Sequence, residues 1–229
     1  FSRVSTDDGR TFSAEQAAIS NDAVCPCCQL TVAFGGDALF LGYRKLYADG
    51  RDSTVARSTD AGRTFASEAR LPLGKWKIDG CPLKPTELAV DGPRVYAASY
   101  TGGAEPAGVY FSRSTDGGRT FSGSGLVHPG APYSDAPEMT VGPDGLLRIV
   151  WQAKADVKTG GPRRLYTAQS GDQGAALSAP VEIPTPPGNS AYPASAVAPD
   201  GTVYVTWEQE GELVFVTGLG AATRATASR

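Results

Sequence analysis

Three of the four cysteines stand within four positions, in Cys25-Pro26-Cys27-Cys28, and the fourth is Cys81. Thiols packed this closely in an oxidising compartment become disulfides or share a ligand. One reading joins Cys81 to the cluster by a disulfide and leaves the other two cysteines bonded or reactive. The Cys25-x-x-Cys28 spacing also suits thiol exchange. Three or four thiolates would suit a soft ion, Cu(I) or Zn, although no second Cys-x-x-Cys pair supports zinc. The chain has one histidine, His128, so one copy cannot build a multi-histidine metal site. No metal or other cofactor is therefore expected, with Cu or Zn at the cysteines as the alternative.

Around the cysteines stand residues suited to recognition: Arg44, Arg51, Asp52, Trp76, Asp79, His128 and Tyr133. A guanidinium fork matches a carboxylate, and an indole offers a flat apolar platform. Their placement depends on the elements that carry them.

Those elements announce themselves as repeats. Ser5-Thr6-Asp7-Asp8-Gly9-Arg10-Thr11-Phe12 recurs at Ser58–Phe65 and Ser114–Phe121, with a worn copy at Ser170–Leu177. Their first residues lie 53, 56 and 56 positions apart. An Asp carboxylate can accept main-chain N–H bonds inside its own turn, and Gly supplies positive φ. Asp7, Asp60, Asp116 and Asp172 are accordingly read as structural, and the closing Phe or Leu as packing between sheets. A second turn, such as Pro143-Asp144-Gly145 or Pro199-Asp200-Gly201, precedes the middle strand of each repeat. Four antiparallel strands per repeat of about 55 residues make one propeller blade.

The Ser-x-Asp-x-Gly-x-Thr-Phe octet resembles the Asp box of the bacterial neuraminidase repeat, found in sialidases and in propellers that are not sialidases. The resemblance implies an all-β propeller of four-stranded antiparallel blades. About four and a half blades are visible, and a six-bladed parent is expected, with a four-bladed ring as the alternative. The expected boundaries are a single propeller domain at 1–218, with a partial blade at 1–20 and blades at 28–72, 85–128 and 136–184. A partial blade at 194–218 and a loosely held tail at 219–229 complete the chain. The block Cys-Pro-Cys-Cys, Tyr43-Arg44, Arg51-Asp52, Trp76 to Pro82 resembles exported bacterial sialidase-like proteins.

Strand order assigns two faces. The octets and the first turn of each repeat share one face, and the crossovers and middle loops share the other, which collects the Cys, Trp and Arg residues. Tyr43, Tyr100, Trp151 and Trp207 fall at one repeat position and are read as core between blades rather than as a sugar platform. A sialidase clamps its substrate carboxylate with three arginines and uses a Tyr nucleophile activated by Glu, with an Asp as acid. The catalytic candidates are Arg44, Arg51, Asp52, Tyr192 and Glu208, with Asp79, Tyr133, Glu138, Arg163 and Arg164 as further positions. The Phe/Tyr-Arg-Ile-Pro motif that carries the first clamp arginine is absent from this sequence.

Composition bounds the function class. Apolar residues at 41% suffice for a core, while 28 Gly and 17 Pro fit a turn-rich β chain. A net charge of −3 argues against nucleic acid as a partner. No apolar run approaches the roughly 20 residues of a membrane helix. The sequence reading is an exported propeller, periplasmic or extracellular, with a lipid anchor at a missing N-terminus compatible with it. Its role is to bind a protein or glycan partner through the Cys/Trp/Arg face without catalysis. The alternatives are an exo-sialidase or related glycoside hydrolase, and a thiol-ligated metal or redox protein.

Overall fold

Alternating side chains and tight turns place the chain in antiparallel ladders. The computed structural model describes residues 1–19, 24–131, 134–154 and 160–219. The first sheet holds β1 (Thr31–Gly35), β2 (Ala38–Tyr47), β3 (Gly50–Ser58) and β4 (Ser67–Arg70), paired in that order. The second holds β5 (Thr86–Asp91), β6 (Arg94–Thr101), β7 (Gly108–Ser114) and β8 (Ser122–Leu126), again in chain order. The third runs β9 (Asp135–Val141), β10 (Leu147–Lys154), β11 (Arg163–Ser170) and β12 (Val181–Glu182). A three-stranded sheet follows, with β13 (Ser190–Val197), β14 (Val203–Gln209) and β15 (Leu213–Leu219). The described residues form no helix, and so none long and apolar enough to cross a membrane.

The chain divides into two compact units, Phe1–Ala136 and Pro137–Arg229. In the first, the sheets β1–β4 and β5–β8 bury Phe40, Val55, Leu71, Leu73, Leu88, Val95 and Tyr110 between them. In the second, Val150, Leu165, Ile183, Val203, Val205 and Trp207 form the core. Tyr43, Trp151 and Trp207 are all buried, at 1%, 0% and 4% exposure, so this repeat position serves packing. Tyr100, at the same position, is half-buried and joins the site described below.

Each octet closes on itself in the same way. Asp60 Oδ1 accepts the Thr64 N–H (2.8 Å) and Oδ2 accepts the Thr64 hydroxyl (2.6 Å). Ser58 Oγ donates to Asp60 Oδ1 (2.7 Å) and accepts the Gly62 N–H (2.9 Å). Gly62 takes φ of 80°, a conformation that glycine adopts without a Cβ clash. Asp7 and Asp116 make the same two bonds to Thr11 and Thr120. In the worn copy Asp172 keeps only main-chain donors, Ala175 and Ala176, and the bond from Ser170. The closing aromatics differ in fate: Phe121 packs against the core of the first unit, whereas Phe12 is 59% exposed.

Register fixes which residues share an end of the sheets. The Gly35-Gly36-Asp37 turn, Gly92-Pro93 and the Asp116-Gly117 part of an octet line one cleft. The opposite end carries the β2–β3 hairpin, where Arg44 faces Ser53 and Lys45 faces Asp52. An isolated bridge between Val24 and Lys45 brings the cysteine segment to that same end. At the N-terminus the two expected strands are reduced to a Ser2–Gln16 bridge around the octet. The last sheet starts at Ser190 rather than 194 because β13 continues through a register shift between Ala191 and Ala194. Residues 220–229 of the expected tail lie outside the described residues.

The Thr hydroxyl and N–H bonds hold the Asp7 and Asp60 carboxyls down to about 2. Their stabilising contribution is complete above the ordinary value of 3.8 and is lost as pH falls through about 2. Asp60→Asn should therefore lower the melting temperature at pH 7. The difference from wild type should shrink towards pH 2, as followed by circular dichroism.

Candidate functional site

The β2–β3 hairpin ends in a buried carboxylate that organises its surroundings. Asp52 is 1% exposed and accepts Arg70 Nε at 2.9 Å, a second bond from Arg70 Nη2, and the main-chain N–H of Trp76 at 3.0 Å. Arg70 is the last residue of β4, so this carboxylate ties three segments together. The Arg51 N–H donates to the Trp76 carbonyl (2.9 Å), which fixes that residue from both sides of its peptide.

Arg44 is also 1% exposed. Its Nη1 donates to the Arg51 carbonyl (3.0 Å), and its Nη2 donates to the Tyr100 carbonyl (2.8 Å) and Ser99 Oγ (3.3 Å). All three acceptors are uncharged, and Nε has no partner. Burial lowers the Arg44 pKa, opposed by the charges that Cys28 and Asp52 bring close to it. The Trp76 ring covers the guanidinium at 5.1 Å and meets Tyr100 at 5.4 Å. Gly102 and Gly103 make room for it: a Cβ at Gly102 would stand 2.6 Å from the indole nitrogen.

With Trp76 held, the segment that follows brings Cys81 to the cysteine cluster. Cys27 and Cys81 form a disulfide, 54 residues apart with Cα atoms 6.2 Å apart. Cys25 and Cys28 are free thiols, both buried. Cys25 Sγ lies 3.5 Å from Cys27 Sγ and 3.5 Å from Cys28 Sγ. Arg51 Nη1 reaches it at 3.9 Å, and the Cys25 N–H donates to the Arg44 carbonyl at 2.8 Å. Burial disfavours the Cys25 thiolate, but bonds from Cys28, the Cys27 main chain and Arg51 outweigh it and lower its pKa. Burial raises the Cys28 pKa. The sulfurs of Cys25, Cys27 and Cys81 all lie within 4.8 Å of one another. Because Cys27 and Cys81 are bonded to each other, Cys25 and Cys28 are the two thiols left to ligate a metal.

Beside this cluster lies a shallow cleft of about 680 Å³ lined by Tyr47, Asp49, Arg51, Lys77, Ile78 and Asp79, among others. Asp49 pairs with Arg70 (2.9 Å) and Lys75 (2.7 Å). Arg70 stacks over the Tyr47 ring at 4.2 Å. The first unit therefore brings Arg44, Arg51, Asp52, Trp76 and the four cysteines to one end of its sheets. Arg44 and Asp52 face inward, committed to neighbours, while Lys77 and Asp79 are exposed. His128 is half-buried, and burial lowers its pKa. Tyr133 lies outside the described residues.

The remaining candidates belong to the second unit. Tyr192 is 63% exposed, with its N–H donating to the buried Gln152 Oε1 at 2.7 Å. It adopts φ of 51°, which is uncommon for an aromatic residue. Glu208 is half-buried on β14. Arg164 is engaged by the carbonyls of Pro186 (3.3 Å) and Gly188 (2.8 Å). Burial lifts the Glu138 carboxyl to about 7 against a main-chain bond from Ser195. Arg70 and Ser99 were missed by sequence reasoning. Neither lies in a motif, and only the ladder places them beside Asp52 and Arg44.

No protein-family model matches the chain, and no curated protein is similar to it. Solved structures are similar in fold. The NanB sialidase from Streptococcus pneumoniae superposes with a TM-score of 0.61 at 14% identity, over 90% of this chain and 32% of that one. The endo-arabinase from Bacteroides thetaiotaomicron gives 0.54 at 16% identity, over 92% and 81%. A protein of unknown function from Dyadobacter fermentans gives 0.56 at 18% identity, over 84% and 66%. The chain thus spans 66% of the Dyadobacter protein and about a third of the sialidase. At these identities the likeness is one of fold: all-β, with the four-stranded antiparallel sheets of sialidase and arabinanase propellers.

Two outcomes follow from these contacts. Asp52→Ala leaves Arg70 without one of its carboxylates and frees the Trp76 peptide, and should cost about 2 kcal/mol in urea unfolding, discounted for the partial exposure of Arg70. Trp76 emission should shift to the red, because Trp151 and Trp207 stay buried. Glu138 carries the opposite pH sign to the octet aspartates. Its raised pKa means that stability present below 4.5 is lost as pH rises through about 7. Glu138→Gln should accordingly gain about 2 kcal/mol over wild type at pH 8 and little at pH 4.5, measured by denaturant titration.

Proposed function

We propose that the chain is an exported, propeller-type module that binds a glycan through the cleft beside Trp76 and the cysteines, without cleaving it. The observation that carries this reading is the state of the clamp candidates. Arg44 and Asp52 are buried and bonded within the protein, so neither can meet a substrate carboxylate or donate a proton to a leaving group. What reaches solvent beside them is a shallow cleft that sets the apolar faces of Tyr47 and Ile78 beside the charged Lys77 and Asp79, a mixture suited to the faces and hydroxyls of a sugar. Two of the three solved structures of similar fold described above are a sialidase and an endo-arabinase, which supports a glycan over a protein as the partner. The disulfide fits an oxidising compartment outside the cytoplasm.

A glycoside hydrolase is the second reading. It draws on the fold likeness and on Glu138, whose half-buried carboxyl near 7 has the acidity that a general acid needs. Calorimetry with sialyllactose and arabino-oligosaccharides, alongside fluorogenic sialosides and arabinosides, separates the two. Binding without turnover, weakened about tenfold by Lys77→Ala with Asp79→Ala, is the expected result. Turnover that Glu138→Gln abolishes would establish the hydrolase. No binding to any of these sugars by the folded protein would overturn the glycan reading in favour of a protein partner.

A further inference from the structure

The cysteines are more than a staple, because oxidised and reduced sulfur lie in contact within one cluster. The Cys27–Cys81 disulfide has one exposed end, Cys81. Behind it, two buried thiols lie sulfur to sulfur at 3.5 Å, and Cys25 is in contact with both Cys28 and Cys27. Exchange needs a thiolate, a disulfide sulfur within reach and a leaving thiolate that is itself stabilised. Arg51 stands at 3.9 Å from Cys25. The buried Arg44, hydrogen-bonded to two carbonyls and a hydroxyl and with Nε unpartnered, adds a second cation near the pair. Two cations beside buried thiols are an arrangement that generates thiolate.

We propose that the four cysteines form a two-electron thiol–disulfide relay that carries reducing equivalents from the buried Cys25/Cys28 pair to an exposed disulfide of a second protein. In the first step the Cys25 thiolate attacks Cys27 Sγ. The Cys25–Cys27 bond forms as Cys27–Cys81 breaks, and Cys81 leaves as a thiolate that takes up the proton Cys25 gave up. Cys28 then attacks Cys25 Sγ, forming Cys25–Cys28 and releasing Cys27, again with one proton passed along. These steps are redox-neutral: one disulfide has moved inward and one dithiol outward. Cys81 next attacks the partner's disulfide, and Cys27 resolves the mixed disulfide. The partner leaves as a dithiol, Cys27–Cys81 is restored, and the net oxidation falls on Cys25 and Cys28. The relay is independent of the glycan reading, since none of its steps uses Lys77 or Asp79.

The test is thiol mapping by mass spectrometry after N-ethylmaleimide labelling of the folded, unreduced protein, with glutathione disulfide as the probe partner. In wild type, Cys81 and Cys27 should become labelled, and glutathione should appear on Cys81. Cys25→Ser removes the attacking sulfur and should slow Cys81 labelling about tenfold or more. Cys28→Ser keeps the first exchange and loses the second, so Cys81 should still label while Cys27 stays bonded to Cys25. This variant also guards against misfolding of Cys25→Ser. Wild-type Cys81 that never labels would overturn the relay, as would equal labelling in Cys25→Ser. So would a chain locked in two disulfides that reduced glutathione at about 10 mM does not open.

Discussion

The carboxylate of Asp52 is the contact on which this end of the first unit depends. A buried anion is tolerated only when its oxygens are fully engaged, and here Arg70 and the Trp76 N–H engage them. The consequence reaches along the chain. The Trp76 peptide is fixed by Asp52 and Arg51, the indole roofs Arg44, and the next residues deliver Cys81 to Cys27. One carboxylate therefore orders a crossover segment that has no strand of its own.

The two arginines that anchor this region, the buried Arg44 and the partly exposed Arg70, have different roles. Arg70 is paired with carboxylates on both sides, Asp49 and Asp52, and acts as a strut. Arg44 is held by carbonyls and a hydroxyl, which orient it without neutralising it. An oriented guanidinium without a hydrogen-bonded carboxylate raises the local potential, and the thiols of Cys25 and Cys28 are among the groups that feel its charge. Packing and reactivity are thus coupled: the bonds that lock the hairpin also set the field at the cysteines. The octets at the other end make self-contained turns whose carboxylates bond almost wholly to their own backbone and hydroxyls.

The repeat makes the sheets legible in the sequence, because a turn must be written in adjacent residues. Ser58, Asp60, Gly62 and Thr64 bond within seven positions, so their types and order suffice. Arg44, Arg51, Asp52 and Trp76 lie together with the cysteines at one end of the first unit's sheets. Their roles were not legible. Arg44 and Asp52 read as candidate ligand contacts, whereas Ser99, Tyr100 and Arg70 absorb their bonding capacity from 18 to 56 residues away.

The sequence alone determined the period and the antiparallel turn chemistry, since each rests on neighbours in the chain. Tertiary structure decided which cysteine bonds to Cys81, which charges are buried and which polar residues remain free to meet a ligand. Those outcomes depend on which segments a ladder brings side by side, on burial and on the competition among acceptors for each donor. None of these is written in local residue order.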